Sequence, residues 1–219
     1  MTKNNPHKRQ PARTETFYAQ KVKRVLDVGA SLAAIAVGAV PIAVTSLAIC
    51  LESPGTPLFR QERIGRNGVP FGMWKLRTMY TDAEQNVERY LSPAQREQWK
   101  RERKVDHDPR VTKVGHVLRK ASLDELPQFL NVLVGDMSVV GPRPVSATEL
   151  KWFGDDADEV LSVRPGITGW WQAYARNGAT WESGERQRME LYYVRNMGLD
   201  LDARIFLHTF VAVFRLTGR

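Results

Sequence analysis

Two adjacent carboxylates, Asp124 and Glu125, offer the most specific chemistry in this chain. An ionised aspartate can act as a nucleophile toward phosphorus, and carboxylate oxygens also hold Mg2+, which often shares them with substrate phosphates. Three basic side chains that can bind oxyanions lie near the pair in the sequence: Arg119, Lys120 and Arg143. This combination of acids and bases indicates phosphate chemistry.

A structural role for the same pair stays open at this level. Ser122 and Glu125 have the spacing of a capping box, but that start would set Pro127 inside the helix, where proline costs about 3 kcal/mol. Asp124 as the cap leaves Pro127 in the first turn, where amide donors are free, and Gly135 then ends the helix. Capping and chemistry are compatible, because a helix N-terminus keeps a carboxylate ionised and attracts phosphate.

The segments that must position the pair predict a mixed domain, mostly helical with little sheet. Residues 71–77 alternate in character and predict a short strand. Residues from 83 to about 104 predict a solvated helix broken at Ser92–Pro93, and their interspersed acids argue against nucleic-acid binding. A mostly apolar helix is predicted from Leu201 onward, either in the plane of a membrane interface or closing the core.

A long apolar run precedes all of these segments. From Val28 to Leu51 there are 24 residues without a charge, and about 20 apolar residues span a bilayer core. A buried core helix is an alternative, although such a helix normally has a polar face. A secretory signal peptide is another, but the run exceeds the usual apolar length of such a peptide. The run therefore predicts a membrane segment.

The charges that flank this run give its orientation. Basic residues mark the cytoplasmic side of a membrane segment, and both flanks are basic: Lys21, Lys23 and Arg24 before the run, Arg60, Arg63 and Arg66 after it. A hairpin that enters and leaves by one face satisfies both flanks, with its bend at Pro41. A single span with one basic flank translocated stays open on charge alone.

Composition excludes several classes of protein. The 219 residues suit one domain with an appendage, and 32 basic against 24 acidic residues give a net charge of +8, which favours anionic partners. A mean hydropathy of −0.38 excludes a bundle of many membrane spans. One cysteine excludes an internal disulfide and a cysteine-based zinc site, and the four histidines lack the spacing of a zinc hydrolase.

Seven short motifs, in a fixed order, carry a resemblance to a known family. They are Lys23–Asp27, Gln61–Gly65, Trp74–Met79, Ser122–Gln128 with Asn131–Leu133, Gly135–Ser138, Gly141–Pro144 and Arg164–Trp170. Together they resemble the bacterial sugar transferases, the small monotopic phosphoglycosyl transferases that start glycan and exopolysaccharide assembly on a polyprenyl phosphate carrier. The resemblance runs from about Lys21 to the C-terminus.

The resemblance implies a reaction. Members of the family transfer a sugar 1-phosphate from a nucleotide sugar, usually a UDP-sugar, to polyprenyl (undecaprenyl) phosphate by a ping-pong route with Mg2+. By similarity, Asp124 attacks the sugar-bearing phosphorus, binds the metal and expels UMP, and the lipid phosphate then takes the phosphosugar from Asp124. Glu125 is its partner, in metal alignment or proton handling. A hexose is expected as the sugar, on similarity to the members that start exopolysaccharides.

The resemblance also assigns residues that bind substrate phosphates. These are Lys75, Arg77, Arg119, Arg143 and Arg176. A surface or structural salt bridge is the alternative for each arginine.

The family's architecture implies an arrangement of three segments. Residues 1–20 form a basic flexible N-terminus, residues 21–52 a re-entrant helix-break-helix in one leaflet, and residues 53–219 a compact cytoplasmic catalytic domain with interfacial amphipathic helices. Pro41 marks the break, although Val40 stands where well-studied members have serine. The expected location is the inner, cytoplasmic membrane, with the catalytic domain on its cytoplasmic face, and a homodimer is a further expectation.

Two other functions remain open. A non-catalytic, membrane-anchored basic module that binds acidic lipid or nucleic acid would explain the charge and the apolar run, but not the carboxylate pair. A Mg2+-dependent hydrolase of nucleotide sugars would share the first half of the reaction and let water finish it. A requirement for a lipid acceptor separates transfer from hydrolysis.

Overall fold

The computed structural model of the protein describes residues 16–102, 105, 107–175 and 178–214. Within these residues the chain is mostly helical with two small sheets, which confirms the expected balance of helix and strand. The long helix α1 spans Lys23–Glu52. The other helices are α2 (Val87–Tyr90), α3 (Pro93–Glu102), α4 (Lys113–Ala121), α5 (Gln128–Val134), α6 (Ala147–Leu150), α7 (Ala157–Val160), α8 (Trp170–Tyr174), α9 (Glu185–Asn196) and α10 (Leu199–Phe214).

Helix α1 contains the apolar run, preceded by a π-helical turn at Tyr18–Val22. Its 30 residues extend over about 45 Å at 1.5 Å per residue. Within the described residues it is the one helix long and apolar enough to cross a membrane. The expected break is not confirmed, because the helix continues through Pro41. Proline removes a single amide donor, and the Thr45 hydroxyl donates to the Pro41 carbonyl at 2.7 Å.

Both ends of α1 are tied to the rest of the domain. Near its start, the buried Asp27 accepts hydrogen bonds from the Ser138 hydroxyl and the Val139 amide, each at 2.9 Å. At its last residue, Glu52 accepts from the amides of Lys113 and Val114 at 2.7 and 2.9 Å. These amides belong to the first turn of α4, so the end of one helix caps the start of another.

The two sheets are small and have different topologies. Strands β1 (Leu58–Ile64) and β2 (Pro70–Leu76) form an antiparallel hairpin, and β2 confirms the strand predicted at residues 71–77. Strands β3 (Ser138–Val140) and β4 (Gly166–Thr168) pair in parallel. The hairpin connects the end of α1 to the rest of the domain.

The apolar core consists of one large cluster and one small cluster. The large cluster joins β3, α9 and α10 through fully buried residues such as Met137, Tyr193 and Ile205. The small cluster packs Ile49 of α1 against Leu76 and Leu118 of β2 and α4. The apolar helix is therefore part of the packing of the domain.

The remaining predicted elements are present in part. Helices α2 and α3 are separated at Ser92, whose hydroxyl accepts from the Gln95 amide as a cap. Helix α10 begins at Leu199 and exposes large apolar side chains, among them Leu207 and Phe210 at 63% and 55%. Its position in a membrane interface stays a prediction. Residues 1–15, in the basic N-terminus, lie outside the described residues.

Candidate active site

The carboxylate pair lies on a tight turn between two helices. Asp124 and Glu125 belong to a 3-10 turn, Leu123–Glu125, which follows α4 through Ser122 in the left-handed region at φ 54°. Helix α5 starts after Pro127, and no side-chain cap forms at this start in the described structure. Neither capping alternative is therefore seen, and both carboxylates are available for chemistry.

The end of this helix agrees with its prediction. Gly135 follows α5 in the left-handed region at φ 98°, and its amide donates to the carbonyls of Asn131 and Val132, both at 3.1 Å. A residue with a Cβ rarely adopts this conformation, so glycine suits the position. The turn that contains the carboxylate pair precedes the seven residues of α5, and this glycine follows them.

The environment of Asp124 makes its carboxyl group harder to ionise than that of an exposed aspartate. Burial, and then the neighbouring Glu125 carboxylate, raise the pKa of Asp124 to about 6, while Lys75 and Arg119 act in the opposite direction. Two carboxylates and two cations therefore face one another in a partly buried place. A bound cation or a phosphate would change the balance of charge at this point.

Lys75 reaches the pair from strand β2. Burial lowers the pKa of Lys75, Glu125 and Asp124 raise it, and the charge of Arg143 lowers it. Lys75 is thus close enough to the two acids and to Arg143 for their charges to act on it. The strand is held here by Asn131, which accepts from the Trp74 amide and donates to a β2 carbonyl, both at 2.9 Å.

Arg119 reaches the pair from α4. Its Nε donates to the Thr78 hydroxyl at 3.0 Å. Burial lowers the pKa of Arg119, and the charge of Asp124 opposes this effect. The close approach of α4 to this segment depends on Gly115, since a Cβ there would meet the backbone of Thr78. Lys120, the next residue along the helix, is exposed.

Arg143 is positioned by a buried cluster that the sequence analysis missed. Its backbone amide donates to Glu190 at 3.2 Å. On the same helix, the Arg186 guanidinium lies between the rings of Trp171 and Trp181, at 4.0 and 3.9 Å from their centroids. The spacing of Arg186 and Glu190 is one helical turn, which from sequence alone is typical of a solvated ion pair.

Burial changes the titration of both residues of this cluster. It raises the pKa of Glu190 to about 7, against the effect of Arg186 and of the Arg143 amide. It lowers the pKa of Arg186 to about 10, with Arg143 acting in the same direction and Glu190 against it. A charged cluster therefore extends from the carboxylate pair through Lys75 and Arg143 into the core.

The other predicted residues fall into three places. Arg77 is buried and donates to the carbonyls of three residues after α1, Ser53, Pro54 and Gly55, at 2.8 to 3.2 Å, so the structure gives it an anchoring role. Pro41 lies inside α1, one turn after Gly38, whose Cβ position is 3.7 Å from Leu126. Arg176 lies outside the described residues.

The oxygen donors at the pair suit magnesium. Among the described residues there is no group of three or more His, Cys, Asp or Glu side chains that could hold a metal by itself. Mg2+, however, is usually held by one or two carboxylates together with substrate phosphates and water. Asp124 and Glu125 repel one another, and a divalent cation would relieve that repulsion.

Comparison with known proteins gives the family. The model of the bacterial sugar transferases matches residues 18–216. The chain belongs to the bacterial sugar transferase family. This bacterial sugar transferase contains all the elements described above within the matched range, and the resemblance carried by the seven motifs is confirmed.

Three relatives indicate what the family does. The UDP-galactose-lipid carrier transferase of Erwinia amylovora is 37% identical over 90% of this chain and 41% of the relative. The UDP-glucose:undecaprenyl-phosphate glucose-1-phosphate transferase of Caulobacter vibrioides is 43% identical over 85% and 67%. The exopolysaccharide production protein ExoY of Rhizobium meliloti is 41% identical over 87% and 84%. The chain thus spans about two fifths of the first relative and most of the third.

Proposed function

We propose that this protein transfers a sugar 1-phosphate from a UDP-sugar to polyprenyl phosphate, giving polyprenyl diphosphate-sugar and UMP. The observation that carries the proposal is the pair Asp124 and Glu125, whose carboxylates do not cap the next helix and lie partly buried beside Lys75 and Arg119. The relatives support it, since one is named an undecaprenyl-phosphate galactose phosphotransferase and another a UDP-glucose:undecaprenyl-phosphate glucose-1-phosphate transferase.

The chemistry proceeds in two displacements at one phosphorus. A carboxylate oxygen of Asp124 forms a bond to the sugar-bearing phosphorus, and the bond from this phosphorus to the bridging oxygen breaks, so UMP leaves with the bridging oxygen. An oxygen of polyprenyl phosphate then forms a bond to the same phosphorus, and the bond to Asp124 breaks. The carboxylate is regenerated and the glycosidic bond stays intact. With a pKa of about 6, Asp124 is mostly ionised at neutral pH and can attack.

The basic residues supply the charge that this reaction needs. Lys75 and Arg119 are positioned toward Asp124, and Arg143 lies beyond Lys75. Cations placed where phosphate charge develops stabilise the transition state without reorganising. Mg2+, held by Asp124 with Glu125 beside it, would neutralise the diphosphate and assist departure of UMP. We assign Arg77 an anchoring role in place of a part in this step, because its guanidinium donates to backbone carbonyls.

The attachment of α1 supports a location on one face of the membrane. Asp27 near the start of α1 and Glu52 at its end both bond to the catalytic domain. A helix that crossed about 30 Å of hydrocarbon would carry one of these ends away from the domain. We therefore place both ends of α1 on the cytoplasmic face of the inner membrane and its exposed apolar side chains in one leaflet. Because α1 is continuous through Pro41, a re-entrant bend at this residue stays a prediction.

The names of the relatives include two classes of sugar, hexoses and an N-acetylated amino sugar. Galactose, its galactosyl group or glucose is named in several of them, and N-acetylgalactosamine in the one from Aeromonas hydrophila, which is 36% identical. We propose a hexose. A homodimer remains part of the proposal, and no nucleic acid is required.

The test is release of UMP from a panel of UDP-sugars by the detergent-purified protein with Mg2+ and undecaprenyl phosphate. We expect release with one hexose donor, dependent on the lipid and lost in Asp124→Asn. Asp155→Asn, a change of the same kind at an exposed aspartate, serves as the control. Equal release without lipid would indicate a hydrolase, and no release from folded protein with any donor would favour the binding module.

A second measurement tests the covalent step directly. With a donor labelled in the sugar-bearing phosphate and without lipid, the label is expected to stay on the protein after denaturation, in an amount no greater than the protein present. Asp124→Asn should carry no label, and added undecaprenyl phosphate should remove it from the wild type. Label that moves to lipid without ever residing on the protein would contradict a two-step transfer.

A further inference from the structure

We propose that a cavity at the start of α1 is a second anion site, which binds a phosphate group away from the carboxylate pair. The cavity has a volume of about 270 Å3, enough for a phosphate and part of its substituent. Its polar lining includes Lys23, Arg24, Asp27, Arg66, Ser138 and Arg164. Four of these six side chains are cationic and one is acidic.

Three arginines of this lining are held in place by backbone carbonyls. Arg24 donates to two carbonyls near the end of α5, at 2.6 and 2.8 Å. Arg164 donates from Nε to the Gly135 carbonyl at 2.7 Å. Arg66 donates from Nε to the Ser162 carbonyl at 3.1 Å. Arg164 and Arg66 each use only Nε in these bonds, so their terminal N–H groups are available for an anion.

The carbonyl partners carry no charge, so Asp27 alone offsets part of the positive charge of the three arginines in this lining. In the part of the chain that the structure describes, no carboxylate forms an ion pair with Arg24, Arg66 or Arg164. The one acid of the lining, Asp27, accepts from Ser138 and a neighbouring amide. Burial lowers the pKa of Arg164, and the charges of Arg24 and Arg66 lower it further, which agrees with their close approach. A dianionic or monoanionic phosphate would remove this repulsion.

Lys23 does not supply the charge of the site. Its ammonium group is paired with Asp202 of α10, and both side chains are largely buried. The pair fixes the start of α1 against the C-terminal helix. The three arginines and Asp27 then leave a net charge of about +2 at the cavity, which matches one phosphate group.

The cavity and the carboxylate pair lie at opposite ends of α5. Asp124 precedes the first turn of this helix, whereas Arg24 and Arg164 bind at its last carbonyls and at Gly135. The seven residues of α5 separate the two places by about 10 Å. One phosphate therefore cannot occupy both, and the cavity does not depend on the proposed transfer chemistry.

The surroundings favour a lipid headgroup as the source of the phosphate. Val25 and Leu26, directly after Arg24, are 72% and 49% exposed at the start of the apolar helix. A phosphate bound at Arg24 would thus lie beside a surface suited to acyl chains. A free phosphate carries the same chemistry, so the experiment must separate the two sources.

The test uses Arg66, whose side chain is exposed and whose loss removes one carbonyl hydrogen bond. In the first arm, thermal unfolding of the detergent-purified protein is followed as inorganic phosphate is added at constant ionic strength. A saturable rise is expected, with an apparent affinity at least fivefold weaker in Arg66→Gln and closer to wild type in Arg66→Lys. Arg89→Gln, at an exposed arginine of α2, should behave as wild type.

The second arm compares nanodiscs of phosphatidylcholine with nanodiscs that also contain phosphatidylglycerol. If a lipid headgroup fills the cavity, phosphatidylglycerol raises the unfolding temperature, Arg66→Gln loses most of this rise, and added phosphate has little further effect. A response to inorganic phosphate alone would assign the cavity to a soluble phosphate. Titrations of wild type and Arg66→Gln that coincide in both arms would overturn the proposal, since phosphate would then act only at the carboxylate pair.

Discussion

Replacing Gly115 by alanine should weaken both the fold and the proposed activity. Gly115 lies in the first turn of α4, and a Cβ there would lie against the Thr78 carbonyl oxygen and 2.8 Å from its carbon, where ordinary contacts are 3.4–4 Å. The obstacle is backbone, and the same carbonyl accepts from the Thr112 amide at 3.0 Å. Helix α4 would therefore have to move outward by roughly half an ångström to one ångström, as overpacked cores do.

Two effects of opposite sign set the size of the change. Alanine is favoured over glycine in a helix by about 1 kcal/mol, whereas overpacking costs about 1–3 kcal/mol and more when backbone must move. We expect a net loss of about 2 kcal/mol, or roughly 4–8 °C in the midpoint of thermal unfolding. Because α4 also positions Arg119 beside Asp124, a displacement near 1 Å should reduce kcat/KM by about 10- to 100-fold.

The matched control is Gly29→Ala, the same substitution in α1. Nothing lies within 4 Å of a Cβ at Gly29, so stability should stay constant or rise by up to about 1 kcal/mol. Both proteins are compared by thermal unfolding and by UMP release. If Gly115→Ala unfolded at the wild-type temperature and kept full activity, the tight contact between α4 and Thr78 would be refuted as a determinant of the site.

Three further changes test other parts of the structure. The pKa of Glu190 is about 7 in the folded protein, above its ordinary 4.5. The contribution of this group to stability is therefore full below pH 4.5 and is lost as pH rises through 7. In denaturant unfolding, Glu190→Gln should be more stable than wild type at pH 8, by on the order of 3 kcal/mol, and similar to wild type at pH 5. Arg77→Gln should lower the free energy of unfolding by about 2–3 kcal/mol, seen as a lower unfolding temperature, with little change in the KM for the donor. A selective rise in this KM would instead indicate phosphate binding. Asp27→Ala leaves the buried Val139 amide unpaired, while the Ser138 hydroxyl can still donate to the Val140 carbonyl, and should cost about 1–3 kcal/mol in the same unfolding assay. A neutral effect would contradict the anchoring role of Asp27.

Local signals predicted several features of the fold and site correctly. Alternating character identified β2, and Gly135 identified the end of α5, because both depend on backbone preferences of a few adjacent residues. The resemblance carried by the motifs placed Lys75 and Arg119 at the carboxylate pair, and the structure brings both near it, while the roles of these residues stay predictions. The long helix followed from the absence of charge over the apolar run.

Local sequence patterns do not predict features that depend on contacts between residues far apart in the chain. Arg77 lies two residues from Lys75, yet the strand ends between them and Arg77 turns to the carbonyls after α1. The burial of Glu190 depends on the packing of α9 against the core, which its one-turn spacing from Arg186 does not reveal. Pro41 predicted a break, but α1 continues through it as one helix, and the Thr45 hydroxyl donates to the Pro41 carbonyl.

The contacts of α1 link membrane attachment to the arrangement of the site. Near its start, Asp27 accepts a hydrogen bond from the Val139 amide of β3. Its middle, at Gly38, approaches Leu126, next to the carboxylate pair. At its end, Glu52 caps helix α4. The helix that presents Arg119 and the turn that presents Asp124 therefore both rest on α1. An apolar helix that served as an anchor alone would need no such contacts. We infer that the position of α1 also fixes the distance between Asp124, the proposed nucleophile, and its cations.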